Sequence, residues 1–130
     1  MREGAVLLFV YGTLRIGFDG AVARWLHGVA QSVGQGHLAG HLYHIEDYPG
    51  FVPGAEGRVT GDLFALPDPA AILARLDDYE QCSDQWPEPH EYRRERVMVT
   101  TPDGPVQAWT YIYARDTSGL SLIVDGDFTN

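Results

Sequence analysis

Residues 5 to 11, AVLLFVY, are apolar without interruption and rich in β-branched and aromatic side chains. That is the pattern of a central strand buried on both faces. The run stops at Gly12-Thr13. In GAVARWLHGV, residues 20 to 29, Val22, Trp25, Leu26 and Val29 fall at helical spacing, with Asp19 expected as the N-cap. Residues 31 to 48 are glycine-rich and alternate locally through His37, Leu38, Gly40, Leu42, Tyr43 and Ile45, which predicts one long, bent strand. YPGFVPGAEG, residues 48 to 57, reads as a dense turn segment.

GRVTGDLFAL, residues 57 to 66, alternates again and predicts a strand. Asp68 then caps a helix whose first position is Pro69, where a missing N–H costs nothing. The helix AAILARLDDYE leads into a polar loop, QCSDQWPEPH. Two alternating strands, YRRERVMVTT and PVQAWTYIYA, flank the hairpin turn Pro102-Asp103-Gly104, and a tail, SLIVDGDFTN, adds a short apolar piece and an acidic end. Five or more strands with two short helices give an α+β fold: a small, largely antiparallel β-barrel or curled sheet.

The chain has 130 residues, so a single domain over residues 1 to 130 is expected. No stretch approaches the roughly 18 apolar residues of a membrane helix, and the short N-terminal apolar run lacks the form of a signal peptide. A cytoplasmic protein is expected. The formal net charge of −9 argues against nucleic acid as partner, because phosphate contacts dominate that affinity. All the basic residues other than histidine are Arg, which excludes Schiff-base lysine chemistry. An acidic ligand would have to be held by local Arg side chains or backbone N–H groups. The single Cys82 permits no internal disulfide, and it reads as a passive thiol rather than half of a Cys–His pair with His90.

Three acids, Asp77, Asp78 and Glu80, crowd the C-terminal end of the second helix, where the dipole prefers cations. Ile72, Leu73 and Leu76 form the apolar stripe, which Tyr79 extends. Glu80, four residues after Leu76, falls on that face if the helix continues, whereas Asp77 and Asp78 fall toward solvent. Two readings are open from spacing alone. Glu80 is an inward carboxyl group whose pKa burial raises toward the range useful for acid/base work, or the helix frays and Glu80 is a solvated loop acid. The Gly12 turn is open in the same way: a nest of backbone N–H groups for a carboxylate, with Tyr11 and Arg15 close in sequence, or a plain strand-ending turn. Arg93 and Arg94 point to opposite strand faces, so one reaches the cavity side. Trp86 packs as a lid or over its own turn. His37 and His41 share a strand face without His44, and no metal site or cofactor is expected.

Tyr11-Gly12-Thr13-Leu14, Gly40-His41-Leu42-Tyr43 with Tyr48-Pro49-Gly50, Val59-Thr60-Gly61-Asp62-Leu63-Phe64, Leu76-Asp77-Asp78-Tyr79-Glu80, and Tyr92-Arg93-Arg94 through Val97 occur in this order over residues 6 to about 113. Together they resemble the gamma-glutamylcyclotransferase-like family. The resemblance implies a small mixed α/β barrel with a cavity and a cofactor-free enzyme acting on a small γ-glutamyl substrate. It implies that Glu80 is the catalytic acid/base and that the backbone of Tyr11, Gly12, Thr13 and Leu14 holds the glutamyl end. Arg15, Tyr43 and Tyr92, in or beside the matching segments, are expected to join in substrate binding. The alternative is a non-catalytic binding or accessory domain of the same fold. Many family members carry Gly directly after the glutamate; this chain has Gln81.

Overall fold

The computed structural model describes residues 5–45 and 47–128. Glu46, within the expected long strand, and residues 129 and 130 of the expected tail lie outside them. The elements run β1 (Leu7–Val10), α1 (Ala21–Val29), β2 (Gln31–Leu38), β3 (Gly40–His44), β4 (Pro49–Pro53), β5 (Val59–Ala65), α2 (Pro69–Tyr79), β6 (Tyr92–Thr101), β7 (Gly104–Tyr113) and β8 (Ser121–Ile123). Five strands close a barrel in the order β1-β5-β2-β6-β7, and β4-β3-β8 form a separate sheet. All the barrel pairs are antiparallel except β1 with β7, where Leu8 pairs with Trp109 in parallel.

Every residue of β1 is buried, as its unbroken apolar run requires. Its side chains alternate between two clusters. Leu8 and Val10 pack with Leu26 of α1 and Ile72, Leu73 and Leu76 of α2, while Leu7 and Phe9 pack with Leu38, Leu63, Val99 and Ile112. Each such fully buried side chain contributes about 1.5–3 kcal/mol. Among the described residues no helix is long and apolar enough to cross a membrane.

Three expectations need correction. The stretch 31–48 is two strands in different sheets, not one bent strand. The chain changes sheet at Gly40, whose φ of 142° and close approach to Val52 O, 2.5 Å from where a Cβ would lie, admit only glycine. The dense turn at 48–57 contains a strand, β4, paired with β3 through Leu42–Phe51 and Tyr43–Gly50. Its prolines are tolerated because β4 is an edge of the small sheet. Finally, Gly20 and not Asp19 occupies the N-cap of α1, with no side-chain capping bond.

Candidate active site

One end of the barrel gathers the carboxyl ends of the parallel pair β1 and β7, the start of β6 and the C-terminus of α2. A cavity of about 560 Å³ opens there. Tyr11, Gly12, Thr13 and Leu14 line it from the turn after β1. Asp47 and Tyr48 come from the β3–β4 connection, Pro49 from the start of β4, and Glu80 and Gln81 from the end of α2. Glu91, just before β6, Tyr92 of β6 and Tyr111 of β7 face it as well, with Phe9, Val10 and Tyr79 also at its wall.

The route by which Glu80 enters the cavity can be followed residue by residue. Asp68 caps α2, its Oδ1 accepting from Ala71 N at 3.5 Å, and Pro69 occupies the first turn. Ile72, Leu73 and Leu76 then bury the helix face that Glu80 shares. The helix stops abruptly rather than fraying. Glu80 N donates to Leu76 O at 2.8 Å, Gln81 N to Asp78 O at 3.1 Å and Cys82 N to Asp77 O at 2.9 Å. This is a Schellman closure, with Gln81 in the left-handed position at φ 60°. Glycine is the residue that fits that position best. Tyr79 does not extend the apolar stripe; it is 46% exposed.

Burial pushes the Glu80 carboxyl up to about 7, and the negative charge of Glu91 adds to the effect. Glu91 itself accepts a hydrogen bond from the Tyr48 hydroxyl at 2.9 Å. Burial likewise raises the phenols of Tyr11 and Tyr92, helped by the charges of Tyr11's and Tyr92's acidic neighbours, Glu80 among them, so both stay protonated. The Tyr11 hydroxyl donates to Tyr111 O at 2.6 Å and accepts from Phe51 N at 3.3 Å. The Tyr92 hydroxyl donates to Pro49 O at 2.8 Å. These bonds tie β1, β4, β6 and β7 around the opening. The Cys82 thiol is pushed up to about 11 by burial and by the charges of Asp77 and Glu80, the wrong direction for a thiolate nucleophile.

The other two acids behave differently from each other, and one differs from expectation. Asp77 is not a solvent-facing acid. Its Oδ1 accepts from Arg94 Nε at 2.7 Å and from the Tyr111 hydroxyl at 2.7 Å, and its Oδ2 from Arg94 Nη2 at 3.1 Å. Asp78 is exposed and accepts from Trp86 Nε1 at 2.9 Å. Trp86 therefore packs back on the end of α2. Arg94 is the strand arginine that faces inward, its guanidinium also stacked on Trp109 at 4.4 Å, while Arg93 pairs with Glu95 on the surface.

The turn after β1 is held from behind. Arg15 N donates to Gly12 O at 3.1 Å, which closes a four-residue turn with Thr13 and Leu14 at its corner. The buried Asp62 of β5 accepts from Ile16 N at 2.9 Å and from Arg15 Nε at 3.3 Å, and Arg15 Nη1 reaches Asp127 at 2.7 Å. His27 donates from Nε2 to Leu14 O at 2.8 Å, its ring stacked on Phe64. Across the opening Pro49 presses on Gly12, where a Cβ would lie 2.7 Å from Pro49 Cγ. Only a glycine lets the Tyr-Pro-Gly segment close this wall.

Glu80, Tyr11, Gly12, Thr13, Leu14 and Tyr92, six of the residues singled out from the sequence, thus meet in one cavity. Two do not. Arg15 is turned away into a buried pair with Asp62 and Asp127, and it braces the turn rather than facing the cavity. Tyr43 lies in the small sheet, opposite Gly50 and Leu122, off the cavity. The sequence reading missed Tyr48, Glu91 and Tyr111. Tyr48 stood in a quoted motif, but Tyr111 is placed only by its register opposite Arg94. Among the described residues no group of three or more His, Cys, Asp or Glu is arranged to hold a metal ion.

Comparison with known proteins agrees with this architecture. The sequence model described as "Gamma-glutamyl cyclotransferase, AIG2-like" matches residues 8–130. The chain is 35% identical over 122 residues to the gamma-glutamylcyclotransferase family protein YtfP of Escherichia coli K12, covering 93% of this chain and 94% of that one. The solution structure of ytfP from Escherichia coli superposes with a TM-score of 0.68 at 33% identity, over 96% of this chain and 97% of that one. The crystal structure of an aig2-like protein from Mus musculus also superposes with a TM-score of 0.68, at 27% identity, over 85% of this chain and 78% of that one. By sequence and by fold, the chain belongs to the gamma-glutamyl cyclotransferase, AIG2-like family.

Proposed function

We propose that this chain cyclises a γ-glutamyl group to 5-oxoproline and releases the attached amine, with Glu80 as general acid and base. The observation that carries the reading is the placement of Glu80: a carboxyl group pushed up to about 7, on the same cavity as the Gly12–Leu14 turn.

The chemistry follows from those parts. The α-amine of the γ-glutamyl group attacks its own γ-carbonyl carbon, a five-membered lactam forms, and the C–N bond to the leaving amine breaks. The nucleophile is already tethered, so folding the substrate into attacking geometry supplies much of the acceleration; such arrangements are worth about 7–11 kcal/mol. Two proton movements remain. The α-ammonium must lose a proton, and the departing nitrogen must gain one. A carboxyl group near neutrality exists in both forms at working pH, so Glu80 takes the first proton and returns it to the leaving nitrogen, for about 10²–10⁴-fold. The corner N–H groups of Thr13 and Leu14 are suited to the α-carboxylate or to the developing oxyanion. Tyr11 and Tyr92, each anchored through its hydroxyl, give rigid walls for the glutamyl chain.

The proposal includes a small-molecule substrate rather than nucleic acid, a cytoplasmic location, and action without metal or cofactor. Incubation of the pure protein with γ-glutamyl amino acids, glutathione and γ-glutamyl-ε-lysine, with 5-oxoproline read by mass spectrometry, tests it. Release from at least one is expected. Release from none, with ligand binding retained, would instead support a binding domain.

A further inference from the structure

The connection between β1 and α1 has no regular structure, and the turn within it is anchored by residues far along the chain. Asp62 of β5 takes both Ile16 N, at 2.9 Å, and Arg15 Nε, at 3.3 Å, on the same oxygen, Oδ2. Arg15 Nη1 reaches on to Asp127 Oδ1 at 2.7 Å, the shorter of its two bonds to a carboxylate. Arg15 and Asp62 are 4% and 2% exposed. Charge-assisted hydrogen bonds shielded in this way are strong ones.

Asp127 is placed in turn by the segment that follows β8. Gly126 N donates to Ile123 O at 3.0 Å, and Gly126 O accepts from Thr60 N of β5 at 2.9 Å. Asp127 N donates to Asp125 Oδ1 at 3.2 Å, and the Phe128 ring stacks on Phe18 with centroids 6.0 Å apart. The segment is thus strapped to β5 on one side and, on the other, to the connection that carries the turn. Asp127 is not among the residues that line the cavity.

We propose that Asp127 is a positioning residue for the substrate carboxylate: through Arg15 it holds the Thr13 and Leu14 N–H groups in the direction that carboxylate needs. This rests on the carboxylate role proposed above for the turn and extends the site to a residue outside the cavity.

Positioning and simple electrostatics predict opposite signs. Asp127 is an anion behind the place proposed for an anion, so a purely Coulombic role would make its removal tighten carboxylate binding. A positioning role makes its removal weaken that binding.

Two variants separate these. Asp127→Ala deletes the acceptor, and Arg15 keeps Asp62 as its buried partner. Asp127→Asn deletes the charge but keeps an acceptor. For a γ-glutamyl amide, Asp127→Ala is expected to raise KM about tenfold with kcat within about twofold, and Asp127→Asn to recover most of the loss. The same amide with its α-carboxylate converted to a carboxamide should show no such rise. An unchanged or lowered KM in Asp127→Ala, or an equal rise for the carboxamide, would overturn the inference and leave the cyclisation standing. Amide hydrogen exchange in the ligand-free protein gives a readout independent of turnover. Asp127→Ala should speed exchange at Arg15 and Ile16 about tenfold and leave the β6–β7 hairpin unchanged. Unchanged exchange at those two amides would overturn the inference even if the wild type formed no 5-oxoproline, a result that would by itself remove the cyclisation.

Discussion

The Tyr111 hydroxyl donates to Asp77 Oδ1 at 2.7 Å, while Arg94, the residue paired with Tyr111 across β6 and β7, grips the same carboxylate through two bonds. One acid thereby fastens the last turn of α2 to the barrel, three residues before Glu80. Asp77→Asn keeps the shape but removes the charge that Arg94 meets, and hydrogen bonds to charged groups are worth about 1.5–3 kcal/mol. Denaturant unfolding should show a loss of about that size. Asp78→Asn, on the exposed side, should stay within about 0.5 kcal/mol. Equal effects of the two substitutions would mean that Asp77 is not the fastening.

Glu80 should make the protein less stable as pH rises. Its carboxyl lies at about 7 in the fold against an ordinary 4.5. Between those values the unfolded chain has released the proton and the native chain still holds it. The native state binds more protons there, so the stabilisation is complete below the lower value and is lost as pH rises through the upper one. Glu80→Gln has no proton to lose. Relative to the parent it should gain about 1–3 kcal/mol in denaturant unfolding between roughly pH 5 and pH 8. A constant difference across that range would show that the Glu80 carboxyl is not shifted.

Gln81 holds the left-handed position that ends α2. A side chain there costs about 1–2 kcal/mol, partly offset by the greater chain entropy glycine brings to the unfolded state. Gln81→Gly should therefore raise the unfolding free energy by up to about 1 kcal/mol. A clear loss would mean that the Gln81 side chain supports the closure.

The helix α2 was legible because its signals are local: Asp68 and Pro69 mark the start, and the spacing from Ile72 to Leu76 marks one face; whether Glu80 stayed on that face was open from spacing, and the hydrogen bonds that close the helix after it decide it. The barrel was legible from the alternation of β5, β6 and β7. What escaped the sequence is non-local. Arg15 looks free beside the glycine turn, yet Asp62 and Asp127, far along the chain, claim it. Asp77 points off the apolar stripe, but the hairpin of β6 and β7 curls over it and brings Arg94 and Tyr111 to it. The strand β4 was masked by Pro49, Gly50 and Pro53, residues that mark turns unless an edge position lets them pair. Glu91 and Tyr111 carry no local signature, and only the closure of the barrel sets them around Glu80.

The most direct test of the catalytic account is 5-oxoproline release from the best γ-glutamyl amide by the wild type and by Glu80→Gln, both verified as folded. Loss of the general acid and base should lower kcat by at least about 10²-fold, and the wild-type rate should rise with pH through a value near 7. Turnover by Glu80→Gln equal to that of the wild type would contradict the account and remove Glu80 from the mechanism.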